Sequence, residues 1–312
     1  MSARWPPRSP AAARGPSLLS CTYGFCRSRL RERIILSDFN ESIIDEFRGN
    51  NGRVGGMFEG ARLILLTTIG ARSGRPHTVP LGYLPDGERI LVIGSAGGSA
   101  RHPAWFHNLV ADRSVTVEDG AFTYRAVATV LAGAARDEAF ARAVEQDPGW
   151  AEYERQSGRV LPVVALEAAG DPGPPRFNAS SPGEALRVVH DAFRRELALI
   201  RAEVAGSGPV VGAQLRVNCL SLCAALHGHH VREDEGMFPG LERAFPELGP
   251  AIGRLRAEHE VVAVLLGRLR SAVTDPGLSR EALVVAVDAL TGDLEKHLDY
   301  EERELIAVLN GA

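Results

Sequence analysis

The sequence predicts two domains in one chain: an α+β unit built on a small β-barrel, then an all-α, up-down four-helix bundle. Three observations carry that expectation. Short runs of β-branched and aliphatic residues, separated by turn residues, fill residues 61–130. A stiff stretch, Gly170-Asp171-Pro172-Gly173-Pro174-Pro175, then interrupts the chain. Beyond it the apolar period changes to 3.6 over four long segments. The expected organisation is an extension over 1–36, a barrel domain over 37–169, a Pro/Gly linker over 170–181 and a bundle over 182–310.

Composition excludes several classes. A hydrophobic fraction of 45% and a charged fraction of 24% are ordinary for globular domains. The net charge of -4 argues against nucleic acid as a partner, which needs a basic face. No apolar run approaches the roughly 18 residues needed to cross a bilayer. Four cysteines (Cys21, Cys26, Cys219, Cys223) are too few for a disulfide scaffold and fit a reducing cytoplasm.

The first 36 residues hold seven arginines against one acid, Glu32, with abundant Pro, Ala and Ser. That composition reads as disorder. Leu18-Leu19-Ser20-Cys21 lacks the apolar run of a signal peptide before it. Translation is expected to start near Leu36, and mass spectrometry finding residues 1–35 in the natural protein would refute this.

Ser37 and Asp38 are N-caps for an amphipathic helix carrying Phe39, Ile43, Ile44 and Phe47. Strands follow over Arg62–Ile69, Val79–Leu84, Arg89–Ile93, Val115–Glu118 and Phe122–Val130, with a closing strand at Val160–Glu167. Pro85-Asp86-Gly87 and Asp119-Gly120 supply hairpin turns. Pro103–Ala111 and Arg136–Gln146 have helical patterns. In the second half the helices are expected over Pro182–Ala205, Pro209–Glu235, Leu248–Val273 and Ser279–Leu309, broken at Gly206-Ser207-Gly208, between Pro239 and Pro250, and at Asp275-Pro276-Gly277.

Six of the nine histidines lie in this second half. Leu186, Val189, His190, Phe193 and Leu197 share one helical stripe, and Leu255, His259, Val262 and Leu266 share another. Leu222, Leu226, His229 or His230, and Glu233 form a third, and Leu290, Leu294, His297 and Glu301 a fourth. One inward histidine is ordinarily a satisfied core residue. Four at comparable depth with two inward glutamates would cost many kcal/mol without a cation. Nitrogen and carboxylate donors without thiolates favour iron, and two bridging carboxylates favour a pair of ions.

Residues 182–309 resemble the hemerythrin HHE cation-binding family. The matching pieces are His190-Asp191-Ala192-Phe193-Arg194, the run from Leu226 to Pro239, Glu258-His259, and His297-Leu298-Asp299-Tyr300-Glu301-Glu302. The resemblance implies that His190, His229, His259 and His297 are iron ligands and that Glu233 and Glu301 bridge two non-haem ions. His259 stands alone where oxygen-carrying members place two histidines a turn apart, so redox chemistry or sensing of O2, NO or peroxide is expected ahead of transport. His230 is an alternative to His229. His227, Asp234 and Glu302 are candidates to orient the ligands. Cys219 and Cys223 are expected to be small core residues.

In the first half, Gly70-Ala71-Arg72-Ser73-Gly74-Arg75-Pro76-His77 combines a flexible turn with two guanidinium groups, suited to an anionic tail. Ser95-Ala96-Gly97-Gly98-Ser99 opens the His102-Pro103-Ala104-Trp105 helix. Together with Leu65-Leu66-Thr67-Thr68-Ile69, Val79-Pro80-Leu81-Gly82-Tyr83 and the stretch to Leu109, these resemble the deazaflavin-dependent nitroreductase family over about residues 37–168. The resemblance implies a split β-barrel of the FMN-binding type holding coenzyme F-420. Arg72, Ser73, Gly74, Arg75 and His77 would meet its tail, and Ser95, Ala96, Gly97 and Gly98 its ring. His77 and Ala96 replace an arginine and a lysine common in members. Trp150 and Tyr153 match aromatic positions walling the acceptor pocket, or else pack a helix on the barrel.

The expected activity is hydride transfer from the reduced deazaflavin to a small-molecule quinone, nitro compound or similar acceptor, alongside a di-iron bundle. The alternatives are a non-enzymatic iron or gas sensor with a degenerate barrel, or an FMN-binding barrel.

Overall fold

The computed structural model describes residues 38–170 and 176–311. The proposed start near Leu36 and most of the Pro-rich stretch lie outside the described residues. Two units are distinguished. The described part of the first contributes the opening turns of helix α1, which runs over 38–49. The second, Ile44–Ala312, holds everything that follows.

Six strands close a barrel: β1 (Leu63–Ile69), β2 (Pro76–Asp86), β3 (Arg89–Ile93), β4 (Ser114–Glu118), β5 (Phe122–Val130) and β6 (Val163–Ala168). The hydrogen-bonded order β4-β1-β2-β3-β6-β5 is completed by the β4–β5 pairing, so every pair in the ring is antiparallel. Closure removes the edges that an open sheet would expose. Ile64, Leu66, Val92, Val115, Val117, Ala126, Val164 and Leu166 fill one core cluster with Trp105 and Leu109 of α2 (Ala104–Ala111). Leu91, Ile93, Leu161, Val163 and Ala165 form a second under α3 (Gly133–Gln146), through Ala139, Phe140 and Ala143.

β2 is longer than its sequence pattern suggests and includes Pro76, Pro80 and Pro85. Proline cannot donate to a ladder, so period and composition understate such a strand. Two short elements escape the pattern altogether. Helix α4 (Gly149–Ser157) follows α3 directly, and β7 (Arg176–Phe177) adds two residues to β5 inside the expected linker.

The bundle consists of α5 (Pro182–Gly206), α6 (Ala213–Arg232), α8 (Gly249–Thr274) and α9 (Arg280–Leu309). A capping box starts α5: Glu184 N donates to Ser181 Oγ at 3.2 Å, Glu184 returns its carboxylate to Ser180 N at 2.6 Å, and Pro182 occupies the first turn. α5 packs on α6 and α9, and α8 packs on α6 and α9, closing a four-membered ring. α6 does not run straight to its break. It passes through a π-helical turn, Glu233–Met237, into α7 (Phe238–Ala244), where Pro239 sits harmlessly in a first turn.

The bundle interior is layered. Leu197, Leu226, Val262 and Leu294 belong to a large apolar cluster. Leu186, Phe238, Leu255 and Leu305 belong to a smaller one at the other end. Between them each helix changes to buried polar residues: His190, the His229/His230 pair with Glu233, His259, and His297 with Glu301.

Barrel and bundle meet at one end of the barrel. Arg62, just before β1, pairs with Glu196 and Glu203 of α5. Gln214 Nε2 of α6 donates to Pro85 O at 2.8 Å, and Gly87 N donates to Ser221 Oγ at 3.2 Å. β1 pairs antiparallel with β2 from Leu63↔Gly82 to Ile69↔Pro76. The β2–β3 turn touched by α6 therefore lies at the opposite end from the turn at 70–75.

Candidate metal centre and cofactor loops

Seven side chains converge in the polar layer. His190, His229, Glu233 and Glu301 form one group, and His230, His259 and His297 another, with the donor atoms of each group all within 4.8 Å. Glu233 faces both groups, with Oε1 3.0 Å from His229 Nε2 and Oε2 3.6 Å from His259 Nε2. Glu301 Oε2 also faces both, 3.5 Å from His190 Nε2 and 3.7 Å from His297 Nε2. Each of these two carboxylates is thus turned toward both imidazole groups.

His190 Nε2 and His229 Nε2 lie 3.3 Å apart, while most of the other donor atoms have no hydrogen-bond partner. Among the described residues, the buried side-chain polar atoms without a hydrogen bond are His230 Nε2, His259 Nε2, His297 Nε2 and both oxygens of Glu233 and Glu301. All belong to this cluster. Buried polar groups are otherwise almost always satisfied, so a whole set orphaned toward one point fits a cation between them. Burial pulls all five histidines below their usual range, His297 to about 4 and His230 to about 2. Burial pushes the Glu233 and Glu301 carboxyls up; nearby Glu301 adds to this at Glu233, and Glu302, Asp234 and Glu258 add to it at Glu301, which reaches about 8. Neutral imidazoles are the form that metals bind, and a cation would restore both carboxylates to their charged form.

The sequence placed His190, His229, Glu233, His259, His297 and Glu301 as ligand candidates, and the structure brings all six together. It adds His230, treated above as a substitute for His229. Both are buried, His229 by 93% and His230 by 95%, because a cluster spanning two positions receives neighbouring residues of one helix. The buried cluster thus holds five histidines and two glutamates, with His259 the one histidine that α8 contributes. His227 is exposed and outside it. Cys219 and Cys223 are buried free thiols within the apolar cluster, pushed up to about 12 and about 11 by burial.

At the barrel's other end, the turn after β1 is tightly built. Gly70 N donates to Arg75 O, and Gly74 N to Gly70 O, both at 2.8 Å. A Cβ on Gly70 would strike Ser73 Oγ and the His77 ring. Ser73 Oγ lies 3.2 Å from His77 Nε2, while Arg72 and Arg75 are exposed. Buried Asn108 ties the turn to α2, accepting from Ala71 N at 3.1 Å and donating to Thr68 Oγ1 at 3.0 Å.

The loop after β3 carries three successive left-handed residues: Ala96 at φ 50°, Gly97 at φ 59° and Gly98 at φ 78°. For alanine that conformation is strained, and such strain concentrates at functional sites. Arg159 holds the loop from behind. Its guanidinium donates to Gly94 O (2.9 Å), Ser95 O (3.0 Å), Ser99 O (3.1 Å) and Arg101 O (3.3 Å), and contacts His102 Nδ1 at 3.0 Å. Neither Asn108 nor Arg159 was legible beforehand, since neither belongs to a spaced motif. Trp150 and Tyr153 of α4 separate in role. Trp150 packs against the Phe140 cluster, whereas Tyr153 is 39% exposed with its ring beside Gly98.

The chain therefore joins a six-stranded barrel, with glycine-rich loops at one end, to a bundle enclosing a histidine–carboxylate cluster. Residues 42–168 match the family described as F420H(2)-dependent quinone reductase, and residues 181–309 match the hemerythrin HHE cation binding domain. The chain belongs to the F420H(2)-dependent quinone reductase family and carries a hemerythrin HHE domain after it. An F420H(2)-dependent quinone reductase of Mycobacterium tuberculosis strain H37Rv is 34% identical over 126 residues, covering 38% of this chain and 83% of that protein. A relative from Mycobacterium bovis gives the same figures. A solved structure titled as an F420-H2 dependent reductase is 34% identical, covers 34% of this chain and 94% of its own, and superposes with a TM-score of 0.32. No helix among the described residues is long and apolar enough to cross a membrane.

Proposed function

We propose that the barrel transfers a hydride from reduced coenzyme F-420 to a quinone or similarly activated small acceptor, and that the bundle holds two non-haem irons that engage O2, NO or peroxide. The observation that carries the metal half is the cluster of orphaned buried donors, with Glu233 and Glu301 turned to both histidine groups. Family membership carries the reductase half.

When bound, the deazaflavin supplies the hydride, so no protein side chain needs to act as an acid or base. The exposed guanidinium groups of Arg72 and Arg75 and the Ser73 hydroxyl would hold the anionic tail. The left-handed run from Ala96 to Gly98, clamped by Arg159, would let the backbone approach the ring, with Tyr153 forming one wall. Water exclusion would fall to α4, which covers this loop.

In the bundle, five imidazole nitrogens and four carboxylate oxygens would serve two ions. That is fewer donors than two octahedral ions accept, which leaves room for an exogenous ligand. Hydride transfer requires contact between donor and acceptor. The cofactor loops and the bundle contacts lie at opposite ends of the barrel, so exchange between the halves would run through a diffusing reduced acceptor.

The test is one sample of the full chain, titrated with F-420 and with FMN by fluorescence, with bound iron measured in parallel. Tight deazaflavin binding, acceptor reduction and two irons per chain support the proposal. Two irons without deazaflavin binding would identify a sensor, and preferential FMN binding a different reductase.

A further inference from the structure

Three of the five clustered histidines are held from behind in the same way. His190 Nδ1 lies 3.0 Å from Glu302 Oε1, which accepts from Arg194 Nη1 at 2.7 Å. His259 Nδ1 lies 3.0 Å from Asp234 Oδ1. Arg256 Nη1 sits 3.6 Å from that oxygen and donates to Asp234 O at 3.0 Å. His297 Nδ1 lies 3.2 Å from Glu258 Oε2, whose Oε1 accepts from Arg254 Nε at 2.8 Å. Each is a histidine–carboxylate–arginine chain reaching from the cluster outward, and each carboxylate comes from a different helical segment.

The α6 pair is treated differently. Among the described residues, no carboxylate backs the Nδ1 of His229 or His230. His229 has the Phe193 ring against it, with centroids 5.2 Å apart, and His230 stacks on His259 at 4.1 Å. Glu233, on the same strand of chain, begins the π-helical turn, a less regular ladder than the α-helices carrying the other donors.

We propose that Glu302, Asp234 and Glu258, each anchored by its arginine, are positioning residues that fix His190, His259 and His297 as rigid donors. The α6 donors His229 and His230 are then the side that yields when cations are loaded, released or change ligands. This rests on the metal half of the proposed function. A hydrogen-bonded carboxylate fixes the tautomer and ring orientation of a ligating histidine, and removing such a partner typically costs 10–100-fold in metal affinity. An unbacked imidazole keeps freedom to rotate out.

Asp234 and Glu258 back two members of the His230/His259/His297 group, whereas Glu302 backs a member of the other. Their variants should therefore weaken different positions.

The experiment loads the full chain anaerobically with Fe(II) and follows competition with a chromophoric chelator for wild type, Glu302→Gln, Asp234→Asn and Glu258→Gln. Melting of each metal-free variant controls for folding. The expected result is an affinity loss on the order of 10–100-fold for one of the two ions in each variant, with metal-free melting unchanged. In the Co(II)-loaded wild type, the shifted ring N–H signals of His190, His259 and His297 should exchange slowly with solvent, and those of His229 and His230 quickly. Arg254→Lys should retain more affinity than Arg254→Gln. Variants within twofold of a wild type that binds two ions, or five equally protected N–H signals, would overturn the assignment while leaving the metal centre intact. A wild type that takes up no Fe(II) or Co(II) would overturn the metal centre and this proposal together.

Discussion

Arg62 makes a two-pronged ion pair with Glu196: Nη2 lies 2.7 Å from Oε1, and Nε lies 3.0 Å from both oxygens. Glu203, two turns further along α5, takes Nη1 of the same guanidinium. One arginine at the mouth of the barrel thus ties down the first helix of the bundle. Its side chain is only 6% exposed, while the two carboxylates keep about a fifth of their exposure. Arg62→Ala leaves two carboxylates facing each other without a cation. The expected loss is about 2–3 kcal/mol, below the 3–5 of a fully buried pair because the glutamates remain partly solvated. Calorimetry should show one cooperative transition in wild type and two in the variant. A single unshifted transition would mean that the remaining contacts, Gln214 to Pro85 and Gly87 to Ser221 among them, hold the halves together without Arg62.

Gly98 gives a sharper test of the cofactor end. Its φ of 78° disfavours any side chain, and a Cβ there would lie 2.7 Å from Gln156 Oε1 and 3.4 Å from Tyr153 Cδ1. Gly98→Val should push α4 away from the loop and cost about 1–3 kcal/mol of barrel stability. Deazaflavin affinity, read by fluorescence titration, should fall at least tenfold while bound iron is unchanged. A Gly97→Ala control meets no atom within 4 Å and should suffer only from its φ of 59°.

Much of this architecture is legible from the chain. The layered bundle is written as apolar stripes with histidines at matching depth, since a 3.6 period fixes which residues face inward. The barrel strands show through their aliphatic runs. What escapes has physical reasons. β2 hides behind three prolines, and α4 is too short and polar for a periodic signal. An ideal helix turns adjacent residues about 100° apart, so the apolar stripe leaves His229 and His230 as alternatives, whereas the buried cluster holds both. Asn108 and Arg159 act through main-chain carbonyls and amides gathered from distant segments, and no sequence spacing records such a gathering.

Metal removal exposes a pH effect with a defined sign. Burial, with other acids nearby, raises the Glu233 and Glu301 carboxyls above the ordinary 4.5. A raised acid costs stability as pH climbs past 4.5, because the unfolded chain has released a proton that the folded chain retains. The depressed histidines act in the other direction, costing stability as pH falls below 6.5. In the metal-free protein Glu301→Gln should therefore stabilise at pH 8, by on the order of 2 kcal/mol, and distinctly less at pH 5. The same variant should lose metal binding. Equal melting shifts at the two pH values would contradict the assignment of Glu301 as a protonated, buried acid.

Arg159 concentrates the last prediction. It is the one guanidinium among the described residues that donates to four main-chain carbonyls of a single loop, and it has no carboxylate to neutralise it there. Burial pulls its pKa down, though an arginine remains charged. The positive charge therefore persists behind the strained run from Ala96 to Gly98. Removing it by Arg159→Ala frees those carbonyls to solvent and lets the left-handed residues relax toward commoner conformations. Deazaflavin Kd should rise tenfold or more, and the KM for acceptor should change less. Arg159→Lys keeps the charge but reaches fewer carbonyls, because an ammonium lacks the planar fork, so its Kd should fall between the two. If lysine restores wild-type affinity, charge alone matters; if lysine matches alanine, the fork geometry sets the loop. Unchanged binding in both variants would mean that the loop holds its shape without Arg159.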